Sequence, residues 1–344
     1  MKTTYISSFS SIRVFLILSI FICHWVGGFG MYVGSFLEHG GFAVIFFFVL
    51  SGYLICNKYN NSFCHITFKT IKEFVLKHTK KLYFLYAITS IFSIILLLIY
   101  NNSAIFENLM TFGKFVLKIF LNVFLLQSLV PTATSISLNA VAWFFSCLTI
   151  LYAVTPFLIK FKNRFIAKNL IFLLSALMLC IIVSILLEKE RLYITPYYRI
   201  FQYFAGMLIF DICKRLDLHM NKILSNFFEI FIVIFSICAY CKVFVGPTIL
   251  YDLLSACLFV FIFSQETSGV VSKFLSLQPL LYLNKFVSEV FLIHFPIIIF
   301  FSLQFKSYLP YDLITFIVCG LLLLLLTFLL SFIYKKMQQR IFHN

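Results

Sequence analysis

The feature that most constrains this chain is a series of long apolar stretches separated by short segments that carry most of the charge. A helix that crosses a bilayer needs about 20 largely apolar residues. With 62% hydrophobic residues and only 11% charged ones, the chain exceeds what a soluble core requires. The sequence therefore predicts an all-α integral membrane protein. Candidate spans are 10–29, 38–57, 82–100, 115–130, 139–159, 168–187, 195–213, 225–244, 247–264, 280–302 and 312–334.

The basic residues indicate how many of these eleven stretches cross, because short cytoplasmic loops carry an excess of Lys and Arg. If all of them crossed, the basic segment 160–168 would face the side opposite the basic loop 58–81. The stretch 115–130 is short, contains polar residues and ends at Pro131. We therefore interpret 115–130 as re-entrant or interfacial. About ten transmembrane helices remain, with the N and C termini cytoplasmic.

The same charge distribution argues against nucleic acid as a partner. The net charge of +15 arises from basic residues in short loops between apolar spans, as the bilayer requires. Most of the ten cysteines lie inside apolar runs and show no metal-ligand spacing, so we expect neither a disulfide framework nor a metal site. Residues 27–30 offer no signal-peptide cleavage site, which favours a retained first helix. We expect residues 1–344 to form a single multi-pass domain without an appended soluble domain.

Ionisable side chains inside a membrane are costly and point to function by default. Arg13 and His24 both lie in the first span with ten residues between them. On a helix this spacing places them on nearly the same face, about 16 Å apart along the axis. The candidate polar residues within the spans are Arg13, His24, Ser51, Trp143, Ser146, Arg199, Gln202, Glu289 and His294.

Two motifs follow one another in the first two spans. The first is the Arg13 and His24 pair, and the second is Phe47-Phe48-Val49-Leu50-Ser51-Gly52. In this order and spacing they resemble the membrane acyltransferase-3 family, which is marked by an Arg or Lys ten residues before a His and then by Phe-Phe-x-x-Ser-Gly. The resemblance continues through 77–81, 142–156, 199–206 and 292–296.

This resemblance implies a ten-helix core with cytoplasmic termini in a cell (inner) membrane. It also implies an O-acyltransferase that moves an acyl group, usually acetyl from acetyl-CoA, onto hydroxyls of surface or exported carbohydrates. The expected partners are an acyl-CoA, a carbohydrate acceptor, the lipid bilayer and proteins of polysaccharide biosynthesis or export. Acyl-CoA enters as the donor substrate, and we expect no bound cofactor.

His24 is the expected catalytic residue, because a base must take the acceptor's hydroxyl proton near neutral pH and imidazole suits that task. An acyl-imidazole intermediate is the competing role. Arg13 could bind a CoA phosphate or the thioester region, or extend to the inner headgroups. For Lys77, Lys80 and Lys81 we weigh docking of CoA phosphates against a role in topology alone.

The remaining candidates are assigned to substrate or structural support. Ser51, followed by Gly52, favours tight helix packing over nucleophilic catalysis. Trp143 could stack on a sugar ring or belong to the interfacial aromatic belt. Arg199 and Gln202 share a helix face and could bind substrate or tie helices together.

Glu289 and His294 lie five residues apart and point to different sides of an ideal helix. Glu289 could instead meet Arg13 or Arg199 across the bundle. For His294 the structural and functional interpretations stay equally open. The alternative to an enzyme is a glycan transporter or flippase, since ten apolar helices with few charges would also serve that purpose.

Overall fold

The computed structural model describes residues 6–29, 37, 39–63, 65–105, 109–131, 136–188, 190–216, 218, 220–265, 269–305 and 313–342. Within these ranges the chain is helical and contains no strand. The helices are α1 Ser7–Phe29, α2 Gly40–Tyr59, α3 Phe68–Ile105, α4 Leu109–Val123, α5 Trp143–Phe161, α6 Leu170–Leu186, α7 Pro196–Arg215, α8 Lys222–Tyr240, α9 Thr248–Ser264, α10 Val270–Leu275, α11 Gln278–Asn284, α12 Val287–Phe305 and α13 Leu313–Phe342.

Seven of the described helices are long and apolar enough to cross a membrane, namely α1, α2, α3, α5, α8, α12 and α13. Two further predicted spans correspond to α6 and α9, which are apolar but have 17 residues each. The last corresponds to α7, a 20-residue helix that carries more charged side chains. Nine of the ten predicted spans thus correspond to one helix each, the span 280–302 is divided between two, and the all-α integral membrane fold is confirmed.

Two predicted boundaries were wrong. Helix α3 begins at Phe68, 14 residues before the predicted span, so most of the expected basic loop 58–81 is helical. The segment 68–81 contains neither Gly nor Pro, and nothing in it interrupts the helix. The predicted span 280–302 is broken at Lys285 and Phe286, which separate α11 from α12.

The stretch 115–130 does not cross the bundle. Helix α4 has only 15 residues and ends at Val123. The chain then reverses at Leu125, which adopts a positive φ of 55°. Ser146 holds the reversal, because its hydroxyl donates to the Leu125 carbonyl at 2.7 Å and lies 2.8 Å from the Ser128 hydroxyl. The segment therefore turns back on itself, as expected for a re-entrant or interfacial segment.

The basic segments meet at one end of the bundle, which we call the basic end. Lys162 at the end of α5 forms an ion pair with Asp211 of α7 and donates to Asn60 beyond α2 at 2.9 Å. Gln338 of α13 donates to the carbonyl of Lys81 on α3 at 2.8 Å. This clustering is what the positive-inside rule requires if the basic end faces the cytoplasm.

Helices α2 and α7 cross at the centre of the bundle, where both backbones need glycine. A Cβ atom on Gly52 would collide with the carbonyl of Tyr203, and one on Gly206 would collide with the carbonyl of Val49. In both cases the position of the added Cβ is occupied by backbone atoms of the facing helix, which cannot move aside as a flexible side chain can. The Gly52 of the second motif thus permits close packing, as small residues do between membrane helices.

We predict that Gly52→Ala and Gly206→Ala each destabilise the protein by about 1–3 kcal/mol or more, the usual cost of overpacking. Gly27→Ala is the matched control, since nothing lies within 4 Å of a Cβ there. The measurement is the thermal midpoint of the detergent-purified protein by size-exclusion chromatography after heating. Equal midpoints for Gly52→Ala and Gly27→Ala would contradict the crossing.

Candidate active site

A partly open cavity of about 260 Å³ lies between α1, α2, α3, α5 and α12, and we call it the Arg13 cavity. Its wall is mostly apolar, and its polar side chains come from four different helices. The lining residues are Arg13, Phe47, Leu50, Ser51, Leu54, Ile55, Leu82, Phe144, Phe145, Leu148, Tyr152, Val287, Ser288, Phe291 and Leu292.

Arg13 points into this cavity rather than towards lipid headgroups. Its Nη2 atom lies 3.5 Å from the Ser288 hydroxyl, at the outer limit of a hydrogen bond. Tyr152 and Glu289 are close enough to interact with the guanidinium electrostatically. Glu289 itself forms an ion pair with Lys335 of α13 at 3.3 Å, and it forms none with Arg13 or Arg199, the two partners that the sequence left open. Arg13 is left with no carboxylate in an ion pair among the described side chains.

The predicted basic residues of α3 lie beside the same cavity. Lys77, Lys80 and Lys81 are exposed on the N-terminal part of the helix, towards the basic end. Lys77 lies over the ring of Tyr59 at 5.5 Å. Lys81 directly precedes Leu82, which lines the cavity. The basic side chains are therefore placed close to the Arg13 cavity but outside it.

His24 and His294 form a pair between α1 and α12. The His24 Nδ1 and His294 Nε2 atoms are 2.9 Å apart, and the rings stack with centroids separated by 5.2 Å. The second nitrogen of His294, Nδ1, lies 3.0 Å from the Val290 carbonyl of its own helix. His294 is fully buried, whereas His24 is partly exposed.

These two distances determine where the protons of a neutral pair lie. A carbonyl only accepts hydrogen bonds, so His294 carries its proton on Nδ1 and its Nε2 is an acceptor. The contact at 2.9 Å then requires His24 to donate from Nδ1. A neutral His24 consequently has no proton on Nε2. This nitrogen can accept a proton or attack an electrophile.

The histidine pair lies next to the Arg13 cavity without lining it. Phe291 connects the two, because it lines the cavity and its ring centroid is 6.0 Å from that of His294. Phe144 packs against Phe291 at 5.3 Å from the opposite wall. A reactive group that passes these two rings from the cavity approaches the histidines.

Pro296 explains how the chain just before α5 is tied to this site. Proline has no backbone N–H, so the carbonyl four residues earlier, that of Leu292, loses its helical donor. Asn139 supplies the missing donor from its side chain at 2.8 Å. The same Asn139 side chain donates to Thr89 of α3 at 3.2 Å. Three elements around the histidine pair are thereby held together.

Arg199 and Gln202 lie in a second polar site near the start of α7. Both side chains are completely buried, and Arg199 Nη1 donates to Gln202 Oε1 at 2.7 Å. Trp143 is 8% exposed and packs beside Arg199, 5.5 Å from its guanidinium carbon, so it does not belong to a lipid-facing aromatic belt. The expected shared face of Arg199 and Gln202 is present.

Sequence reasoning missed two features of the site. It did not foresee that His24 and His294 meet, because 270 positions separate them in the chain. It also passed over Ser288, since a lone serine at a helix start carries no recognisable signal. Ser51 lines the cavity and donates to the Phe47 carbonyl at 2.6 Å, which leaves it without an activating base among these contacts. No group of three potential metal ligands occurs among the described residues.

Comparison with protein families identifies the chain. The family model described as an acyltransferase domain, that of the acyltransferase-3 family, matches residues 6–336. The match covers nearly the whole chain, and the protein therefore belongs to this family of membrane acyltransferases. Comparisons with curated proteins and with solved structures give no significant match.

The cavity predicts a difference in thiol reactivity along α2. Ser51 lines the cavity, whereas Cys56 on the same helix is fully buried. We expect Ser51→Cys to react with N-ethylmaleimide at least about tenfold faster than Cys56, because access controls the reaction of cysteines of similar type. Peptide mass spectrometry separates these sites from the other cysteines. Equal rates at positions 51 and 56 would show that the cavity is closed.

Proposed function

We propose that this protein transfers an acetyl group from cytoplasmic acetyl-CoA to a hydroxyl of a surface or exported polysaccharide or of its lipid-linked precursor. The observation that carries the proposal is the unprotonated Nε2 of His24, which the hydrogen bond to His294 requires. Membership of the acyltransferase-3 family supports acyl transfer over the transporter alternative. The cell membrane is the proposed location, and proteins of polysaccharide biosynthesis or export are the proposed partners.

The donor side of the reaction is assigned to the Arg13 cavity. Arg13 lacks an ion-pair partner among the described side chains, and a guanidinium matches planar or phosphate oxygens well. CoA is rich in phosphate, and the exposed Lys77, Lys80 and Lys81 provide positive charge near the cavity. In this arrangement the phosphates stay at the basic end, and the pantetheine arm carries the thioester past Phe291.

The chemical step uses one proton acceptor. His24 Nε2 takes the proton of the acceptor hydroxyl while its oxygen attacks the thioester carbonyl carbon. The carbon–sulfur bond of the thioester breaks, and the CoA sulfur takes the proton back from His24 Nε2. During the step, the positive charge on His24 is shared with His294 through the Nδ1 hydrogen bond. The products are an O-acetyl ester and CoA.

We expect His24→Ala to lower acetyl-CoA turnover by about 10²–10⁴-fold, the usual contribution of a general base. The measurement is release of free CoA by the detergent-purified protein, with and without a carbohydrate extract. Ser19→Ala on the same helix is the control, because Ser19 bonds only the Leu16 carbonyl in its own helix. Unchanged turnover in His24→Ala would refute the assignment. Acetyl retained on His24 after acid quenching would show that His24 acts as a nucleophile rather than as a general base.

The pairing of the histidines predicts different results for two amides at position 294. A glutamine oxygen can occupy the place of Nε2 and accept from His24, whereas an asparagine amide reaches only the place of Nδ1. His294→Gln should keep most of the turnover, and His294→Asn should lose at least about tenfold, as expected when a catalytic imidazole has the wrong tautomer. Similar kcat values for the two variants at equal thermal stability would contradict the role of His294.

The role proposed for Arg13 predicts that replacing it weakens the binding of acetyl-CoA. Arg13→Gln should raise the KM for acetyl-CoA at least about tenfold, which corresponds to roughly 1.4 kcal/mol for one charge-assisted contact. The matched control is Arg164→Gln, which removes an exposed basic charge at the end of the bundle. An unchanged KM in Arg13→Gln, with Lys80→Gln and Lys81→Gln also neutral, would place the donor elsewhere.

A further inference from the structure

Arg199 retains hydrogen-bonding capacity that no described residue uses. Its Nε atom donates to the Tyr193 carbonyl at 2.7 Å, and its Nη1 atom donates to Gln202 at 2.7 Å. The Nη2 atom of Arg199 and the Nε2 atom of Gln202 are buried and make no hydrogen bond of normal geometry among the described residues, although the side chains of Tyr193 and Tyr198 interact with Arg199 and Gln202, respectively. Two adjacent side chains therefore offer unused N–H donors.

Aromatic rings surround this guanidinium, and we call them the aromatic enclosure. Such rings attract a cation through their faces but accept its N–H hydrogen bonds poorly. The enclosure consists of Tyr193 at 4.1 Å, Tyr198 at 4.9 Å, Phe48 at 5.5 Å and Trp143 at 5.5 Å, measured from the guanidinium carbon to the ring centroid.

The charge of Arg199 is not neutralised by an ion pair, in contrast to another buried cation of the chain. Lys162, whose side chain is also fully buried, forms an ion pair with Asp211 at the other end of α7. Among the described residues no ion pair includes Arg199. Glu188 interacts with it only electrostatically and is exposed. A buried charge without a paired anion is expensive and calls for a ligand.

The enclosure lies on the far side of the bundle from the basic end. Arg199 is in the first turn of α7, and Arg215 ends the helix about 24 Å away. Phe48 and Trp143 both pack on Phe144, at 4.7 and 6.1 Å, and Phe144 lines the Arg13 cavity. Phe48, Trp143 and Phe144 thus separate Arg199 from the Arg13 cavity, on the side of the bundle away from the basic end.

We propose that Arg199 and Gln202 bind an anionic group of the acceptor, either a sugar carboxylate or a phosphate. Arg199 Nη2 and Gln202 Nε2 donate to its oxygens, and Trp143 packs against the attached sugar. Tyr193, which is partly exposed and precedes α7, is the ring that is displaced when the anion binds. This inference rests on the proposed function, since only an acyltransferase of this kind needs an acceptor.

Gln202→Glu tests the proposal without leaving a cavity. The new carboxylate fills the same volume and pairs with Arg199, so it supplies the missing anion and excludes an external one. If Arg199 and Gln202 only tie helices together, the variant should keep every function. Gln304→Glu is the control with the same charge change, because Gln304 is exposed at the end of α12.

The readout is the fluorescence of Trp143 in a Trp25→Phe background, since the chain has only two tryptophans. Methyl glucuronide and inorganic phosphate are the anionic probes, and methyl glucoside is the neutral match to the first. We expect a saturable change with at least one anionic probe and none with methyl glucoside. Its apparent Kd should rise at least about tenfold in Gln202→Glu and stay unchanged in Gln304→Glu.

A response to methyl glucuronide alone identifies an acidic sugar, and a response to phosphate alone identifies a phosphorylated acceptor. No saturable response to either anion, or equal Kd values in Gln202→Glu and the parent, would overturn the proposal. Acetyl-CoA turnover without acceptor is measured in parallel and should be the same in the parent protein and in Gln304→Glu. Absence of an anion response in the parent protein, with intact acetyl-CoA turnover, refutes only the acceptor site, whereas absent acetyl-CoA turnover in the parent refutes the proposed function.

Discussion

The hydrogen bond between His24 and His294 is the interaction on which the proposed chemistry depends. An imidazole alone in an apolar bundle can carry its proton on either nitrogen, and only one of the two tautomers leaves Nε2 available. The Val290 carbonyl removes this freedom from His294, and His294 removes it from His24. The backbone of α12 thus determines which nitrogen of His294 carries the proton. Through the hydrogen bond between the rings, it also determines which nitrogen of His24 on α1 carries one.

The scaffold around this pair is rigid for identifiable reasons. Gly52 and Gly206 bring α2 and α7 into backbone contact, which places the Phe-rich face of α2 against the site. Pro296 leaves the Leu292 carbonyl without a helical donor, and Asn139, just before α5, satisfies it. Close packing and complete pairing of backbone groups are what keep a geometry of this kind within the fraction of an ångström that catalysis needs.

In the proposed mechanism, two arginines mark a donor side and an acceptor side of the interior. Arg13 lines a cavity next to the basic end, and Arg199 lies among aromatic rings at the start of α7. Neither belongs to an ion pair among the described residues, although Lys162 and Lys335 both do. These two lysines are paired with carboxylates, whereas the partly buried Arg13 and the buried Arg199 are not, which is why we propose that each arginine binds an anionic ligand.

Much of the fold could be predicted from the sequence, because the bilayer imposes a length on each span and a side on each basic loop. The non-spanning nature of 115–130 followed from the distribution of basic residues together with the short length of the stretch, its polar residues and Pro131. The N-terminal part of α3 was not predicted to be helical, because topology rules assign basic segments between spans to loops. A helix can nevertheless continue beyond the bilayer into water, as α3 does. Arg13 and His24 were recognisable by spacing within one helix. The partners His294 and Ser288 come from α12, and contacts between distant helices leave no local pattern.

The most direct test of the account is the protonation state of the His24 ring. Nitrogen–proton correlation spectra of protein labelled in its histidine rings report which nitrogen carries the proton, and His24→Ala and His294→Gln assign the two signals among the seven histidines. The account predicts protons on Nδ1 of both rings near neutral pH. A His24 ring protonated at Nε2 would leave no base facing the acceptor and would contradict the proposed mechanism.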